Sequence, residues 1–255
     1  MSSPAVSKVD AYILYHVFFF PATSFPLGVS QISNKDLKKI ENKYMTPTKR
    51  QLGFRKTSSN AIFYGPWSKG AFELPSLIEF QERQRLRMLC GHLCANNHVG
   101  KAIINTISML QLESGLTMPF LNSPYKYSQW VTKGWLKECW RIMDKYKLQI
   151  HSQHWWTPST LRENDQGLMK AIADIGKFET WQLCQINRCR MYLKISTISD
   201  IASPCGTKLY YPRVNQSPTP VEDSRFNWPT QEWPEPKYWK IWRAASRILL
   251  NHDKI

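Results

Sequence analysis

The sequence predicts a mainly α protein, and three observations support this fold class. Apolar residues recur at helical spacing along most of the chain, no convincing series of alternating strands occurs, and prolines or glycines separate the periodic segments. Hydrophobic residues make up 42% of the 255 residues, which is enough to build a core. We find no internal repeat and therefore expect an irregular helical array.

The first predicted region, residues 1–60, is basic, with nine Lys or Arg against three Asp or Glu. Apolar residues lie on nearly every side of the segment 9–19, so we expect a buried helix there. A proline removes a backbone donor and collides with the preceding turn, so Pro21 and Pro26 are expected to break this helix.

A second helix is expected to begin at Ser33 or Asn34, which can cap it, and to end at Pro47. One face is apolar and the other is basic, as in a helix packed on a core with its charged side in solvent. The apolar face comprises Leu37, Ile40, Tyr44 and Met45. The basic residues on or beside the opposite face are Lys35, Lys38, Lys39 and Lys43.

The segment 61-AIFYGPWSKGAFELPSL-77 is predicted to be a stiff connector. Gly65 and Gly70 provide the conformational freedom of a turn, and Pro66 stiffens it. The third region, 78–203, is then expected to be a helical extension. The fourth, 204–255, is a Pro- and Trp-rich tail with a short terminal helix, because seven prolines fall between residues 204 and 236.

Helical periodicity continues through the third and fourth regions. Gly115 is expected to end one helix as a left-handed cap. The last turns of the predicted helix 179–201 contain β-branched residues, which have a lower helix propensity. The predicted helices cover 78–94, 99–115, 129–147, a segment from Thr157 or Ser159 to about Gly176, 179–201 and 236–250.

The formal net charge of +15 predicts a polyanionic partner, either nucleic acid or an acidic membrane surface. The most apolar run, 11–20, is too short for the roughly 20 residues that a bilayer requires, and it lacks the features of a signal peptide. Six cysteines in a chain of this size favour free thiols in a reducing compartment. We therefore expect an intracellular location, nuclear or cytoplasmic, and no membrane partner.

The candidate metal and catalytic residues have ordinary explanations. Cys90, Cys94 and His98 have the spacing of a zinc half-site, but they lie along one helix face, and no CxxC pair completes a tetrahedral site. His151 and His154 have no carboxylate nearby that could orient a base. We therefore interpret these residues as helix cysteines and loop histidines, and expect no metal and no cofactor.

The sequence contains none of the common catalytic motifs. The chain has no Asp-Asp pair of the kind that holds the metal ions of a polymerase, no P-loop, no GxGxxG and no GxSxG sequence. We predict no catalytic residues.

Basic clusters are the remaining functional signal, and they predict phosphate contacts. The alternative interpretation is a solvated surface that serves solubility. Aromatic residues close to the clusters, namely Tyr44, Trp67 and Trp135, are candidates to stack on bases. The clusters lie at 35–43, 49–56, 83–87 and 188–190.

The order of these segments resembles the region after the polymerase palm in reverse transcriptases of non-LTR (LINE-like) retrotransposons. The resemblance spans most of residues 9–203, and each motif alone is weak. In the connector, the matching residues are Phe63, Gly65, Pro66, Gly70 and Leu74. The other segments that carry the resemblance are 84-QRLRMLCGHLCANNHVGKAI-103, 134-GWLKECWRIM-143, 156-WTP-158, 165-DQGLMKAI-172 and 187-NRCRMYLKISTISDI-201.

The resemblance implies a thumb-like helical part that grips a template–primer duplex, followed by a C-terminal extension. The partner would be RNA or an RNA–DNA hybrid, with a polymerase palm domain in the same or a separate chain as a further partner. The alternative function is a protein–protein interaction module with no nucleic-acid role, and a second rival is an enzyme that uses the histidines or cysteines. The predicted phosphate contacts are Lys35, Lys38, Lys39, Lys43, Lys49, Arg50, Arg55 and Lys56.

The connector departs from the family pattern at Ala71 and Glu73, where glycine is usual. A side chain at positive φ is strained. We therefore predict that Glu73 does not adopt positive φ.

Overall fold

The protein is mainly helical, as predicted. Among the described residues, the β-structure consists of isolated antiparallel bridges, and no strand is formed. No helix in the described part of the chain is long and apolar enough to cross a bilayer. The chain divides into two compact units, Met1–Cys94 and Ala95–Ile255. The computed structural model describes residues 6–30, 32–95, 97–153, 155–158, 163, 165–203, 207–215, 220 and 227–251.

The N-terminal segment stays helical through both prolines, so the predicted break at Pro21 and Pro26 is wrong. A π-helical turn, Leu14–Phe19, precedes Pro21, and in it the Phe20 amide donates to a carbonyl five residues back. This wider turn shifts the hydrogen-bond register, so Pro21 falls at the start of the next helix, where its missing amide costs little. The helices of the first unit are α1 (Lys8–Ile13), α2 (Phe20–Ser24), α3 (Asn34–Gln51), α4 (Ala61–Tyr64) and α5 (Leu77–Cys94).

The N-terminal helical segment is buried on one side only. Ala11, Tyr15 and Phe19 lie in the core. The prediction of burial on nearly every side is therefore wrong, and we call the exposed residues the apolar set. The apolar set comprises Val9, Ile13, Val17, Phe18, Phe25 and Val29.

The predicted connector is part of the first unit. Phe63 and Leu74 lie in the same buried cluster as Leu37 and Met45 of α3, and the Tyr15 hydroxyl donates to the Pro75 carbonyl at 2.9 Å. The structure also places α5 in the first unit, whereas we predicted a boundary between residues 77 and 78. Along the chain, the first compact unit ends at Cys94.

The prediction for Glu73 is wrong, because this residue has φ 50°. Its amide donates to the Gly65 carbonyl at 3.0 Å, and the next amide, of Leu74, donates to the Phe63 carbonyl at 2.7 Å. These bonds hold the chain in the left-handed bend. Gly70 has φ 76° and provides the predicted turn freedom, whereas Gly65 is needed because a Cβ atom there would lie 2.5 Å from the Ala61 carbonyl oxygen.

In the second unit, α6 and α11 closely match the predicted segments, and Gly115 ends α6 with φ 64°, as predicted. Three other helices are shorter than predicted, and Thr157 is not helical. Ser159 lies outside the described residues. The helices are α6 (His98–Ser114), α7 (Trp135–Tyr146), α8 (Leu168–Ile175), α9 (Thr180–Leu193), α10 (Tyr211–Val214) and α11 (Pro236–Asn251).

Arg190 is fully buried in the second unit and joins two helix ends. Its guanidinium donates to the Leu112 and Glu113 carbonyls at the end of α6, and to the Ile195 carbonyl just after α9. Burial lowers the pKa of Arg190 to about 9, so the group stays protonated at neutral pH. These contacts favour the end of α9 at Leu193, before the β-branched residues that we expected to extend it.

Candidate nucleic-acid interface

Helix α3 presents a row of cations to solvent. The Ser33 hydroxyl accepts a hydrogen bond from the Asp36 amide and caps the helix, so Ser33 is the cap of the two candidates, Ser33 and Asn34, that we predicted. Residues four apart lie on one helix face, so Lys35, Lys39 and Lys43 are neighbours, and Arg50 follows about two turns later on the same side. All four are exposed. We call Lys35, Lys39, Lys43 and Arg50 the basic row.

The opposite face of α3 fixes the direction in which the basic row points. Leu37 and Met45 are buried in the core of the first unit. Between them, the buried carboxylate of Glu41 accepts the Leu77 amide at the start of α5, at 2.9 Å. Since one side of the helix is held by packing and by this hydrogen bond, the basic row is held toward solvent over about 22 Å, at 1.5 Å per residue.

One cation of the row has an acidic neighbour. Lys39 Nζ lies 2.9 Å from Asp36 Oδ1, and both side chains are more than half exposed. The Ser33 hydroxyl, and then Lys39, lower the pKa of Asp36, so this carboxylate is ionised at neutral pH. Exposed ion pairs are weak, so Lys39 can exchange this partner for a phosphate.

Three further predicted contacts lie beside the row and are exposed. Lys38 is on α3, and Arg55 and Lys56 are in the turns that follow it. These predicted contacts thus come from α3 and the chain directly after it. Seven of the eight predicted phosphate contacts are on the surface, and the eighth is Lys49.

Lys49 is buried and cannot reach a phosphate at the surface. Its ammonium donates to the Ser58 carbonyl and to Asn60 Oδ1, each at 2.8 Å, and lies 4.9 Å from the centre of the Phe63 ring. These contacts tie the end of α3 to the turn before α4. Lys49 is therefore removed from the candidate contacts and has a structural role.

Lys8 was not predicted, and the fold brings it to the end of the row. Its exposed ammonium lies beside Gly53, since a Cβ atom on that glycine would be 3.4 Å from Lys8 Nζ. Gly53 is in the turn that follows Arg50. No sequence signal could have identified Lys8, because more than 40 residues separate it from the turn.

The three candidate stacking residues differ in their environment. Trp67 is 66% exposed, in a 3₁₀ turn beside the exposed Lys69. Tyr44 already stacks on Phe19, with 3.8 Å between the ring centres. Trp135 begins α7 in the second unit and is half-buried. Trp67 is therefore the best candidate among them for stacking on a base.

The candidate metal and catalytic residues that the structure describes lie on α5, on α6 and in the loop after α7. Cys90 and Cys94 are free, exposed thiols on α5, and His98 begins α6. Within the part of the chain that the structure describes, no three His, Cys, Asp or Glu residues converge as metal ligands do. His151 is exposed, and His154 lies outside the described residues.

Comparisons of this chain with protein-family models, with curated proteins and with solved structures give no match.

Proposed function

We propose that this chain is a non-catalytic, C-terminal portion of a retrotransposon reverse transcriptase that binds RNA or an RNA–DNA hybrid. It would act inside the cell, in the nucleus or cytoplasm, where such templates occur. A polymerase palm, in the same or a separate chain, would supply the chemistry. The thumb-like part would be the first unit, through α3.

The basic row is the observation that carries this proposal. Cations spaced along one rigid helix can bind successive phosphates, and phosphate contacts hold a duplex without reading its sequence. Lys38 on α3, Arg55 and Lys56 in the chain directly after it, and Lys8 beside Gly53 add further exposed cations to this part of the first unit. A template–primer grip requires this sequence-independent binding.

The test is the affinity for a fluorescently labelled RNA–DNA hybrid, measured by anisotropy over a range of salt concentrations. Replacing Lys35, Lys39 and Lys43 together by glutamine removes three cations, while glutamine keeps a similar helix propensity. We expect weaker binding and a slope of log K against log salt that is shallower by about 2 to 3.

A matched control distinguishes binding by the basic row from a general effect of the net charge of the chain. The triple variant K101Q/K177Q/K208Q removes the same charge from exposed sites in the second unit. This control should keep the wild-type salt slope. The absence of binding at ~50 mM salt, a flat salt response, or equal losses in both triple variants would refute the proposal.

A second candidate function is a protein–protein interaction module of a retroelement protein. The apolar set favours it, since it comprises six large exposed apolar side chains within one segment of the chain, 9–29, and exposed apolar patches often mark protein contacts. Phe25 is 92% exposed, and Phe18 and Val9 are each about two-thirds exposed. Hybrid binding that depends on the basic row would argue against this function as the main one.

A further inference from the structure

A cleft in the second unit has the size and lining of a small-molecule site. Its volume is about 580 Å³, within the range typical of ligand pockets. The lining comes from the end of α6, the segment before α7, the first turn of α7, one face of α9, and Pro229 and Gln231 of the tail. None of the predicted phosphate contacts of the first unit lies in it.

The lining is positively charged. Lys133, Lys137 and Arg188 face Glu113, the sole carboxylate among the described lining residues. Glu113 Oε1 accepts hydrogen bonds from both the amide and the hydroxyl of Thr132, with the amide at 2.7 Å. The formal charge of the lining is therefore +2, and its carboxylate is already bound.

Lys137 is the half-buried cation of this cleft. Its ammonium donates to the Val131 carbonyl at 2.8 Å. Burial lowers the pKa of Lys137, and the nearby Lys133 charge acts in the same direction, although Glu113 opposes them. An anion in the cleft would offset both unfavourable effects, because it would pair with a cation that has lost part of its water.

The cleft also has an apolar wall, to which Met109, Val131 and Met191 contribute. Trp130 is almost fully buried there, and its indole N–H donates to the Ser114 carbonyl at 3.0 Å, which holds the ring in place. Such a wall suits the uncharged body of a ligand and would not be needed for an inorganic ion.

We propose that this cleft binds a small organic phosphate, with the phosphate on Lys133, Lys137 and Arg188 and an apolar or planar body against the apolar wall. A phosphate monoester is close to a dianion at neutral pH and so matches the lining charge of +2, which a carboxylate would leave half neutralised. Nucleoside monophosphates have both parts. The proposal is independent of nucleic-acid binding by the first unit.

Cys184 gives a direct measurement of occupancy. It lines the cleft, its thiol is half-buried, and burial raises its pKa. We would measure its alkylation by iodoacetamide with peptide mass spectrometry in the full chain, with the exposed Cys90 as the internal control. Adenosine or uridine monophosphate at ten times its dissociation constant should slow alkylation of Cys184 about tenfold and leave Cys90 unchanged.

Two further probes test the parts of the ligand. Adenosine lacks the phosphate, and inorganic phosphate lacks the body, so each should protect Cys184 less than the monophosphate at equal concentration. Equal protection by either probe would overturn the assignment of a two-part ligand. No protection by the monophosphates at millimolar concentration would overturn the site itself.

Variants test whether the lysines of the cleft are required for the protection of Cys184. K133Q replaces an exposed side chain, and K137M removes a charge at similar length; each should weaken protection about tenfold or more. K177M, an exposed site outside the cleft, should behave as the wild type. Circular dichroism checks that the variants fold, and wild-type protection in the folded K133Q and K137M variants would refute the proposal.

Discussion

Glu73 shows how a single residue can be held against its local preference. Its left-handed conformation is one that glycine adopts freely and other residues adopt at a cost of about 1 to 2 kcal/mol. The amides of Glu73 and Leu74 are both bound to the α4 region, and Leu74 is buried. The packing of the bend therefore outweighs the strain at one exposed side chain.

The first prediction is that E73G stabilises the protein by about 1 kcal/mol, since glycine removes the strain at positive φ. The free energy of unfolding in urea measures it. E73A is the control and should give no such gain, because alanine keeps a Cβ atom. Equal stability of all three proteins would show that the bend is not strained.

The second prediction concerns Arg190, whose guanidinium satisfies carbonyls at two helix ends. R190M should lower the free energy of unfolding by about 3 kcal/mol or more, because these buried acceptors lose their donor. R190K should not restore it, since an ammonium lacks the planar fork. R188M changes an exposed arginine on the same helix and should lower the free energy of unfolding only slightly. A similarly small decrease in R190M would contradict the role of Arg190 in joining the two helix ends.

At the scale of elements, the helices bounded by local signals were predicted well. Ser33 caps the start of α3, and Gly115 caps the end of α6, as their sequence signals indicated. One group of errors is at prolines: we expected α3 to end at Pro47, but it continues through this residue to Gln51. Packing on the helix faces before and after this proline, including buried Met45 and Lys49, outweighs the lost hydrogen bond.

The third prediction is that P47A stabilises the protein by about 1 kcal/mol or more. Alanine restores the amide that can donate to the Lys43 carbonyl and removes the steric conflict of the ring. Urea unfolding measures the change. P66A is the control, since Pro66 has φ −70°, which suits proline, and its loss should leave stability equal or lower. A less stable P47A protein would show that the proline has a packing role.

At the scale of the whole molecule, each unit has its own buried core. The first unit is centred on Tyr15, Phe63 and Leu77, and the second contains Trp140 and Trp242 together with Arg190. A region with its own core can fold by itself. E73G and P47A therefore report on the first unit, and R190M reports on the second.

The fourth prediction is that residues 1–94 and 95–255, produced as separate chains, each unfold cooperatively in urea. E73G should then raise the midpoint of the first chain, and R190M should lower that of the second. Division at residue 77, the predicted boundary, serves as the control and should give a poorly folded first chain, because it removes α5. An unfolded 1–94 chain would contradict the division at Cys94.

The sequence by itself determined the helical class, the caps at Ser33 and Gly115, and the exposed basic face of α3. These follow from the helical spacing of apolar residues and from helix capping, which depend on residues within about four positions of each other. Only the tertiary structure decided that Lys49 is buried, that Lys8 lies near the end of the basic row, and which residues form the cleft of the second unit. The physical reason is that these features depend on contacts between segments far apart in the chain, which local spacing does not encode.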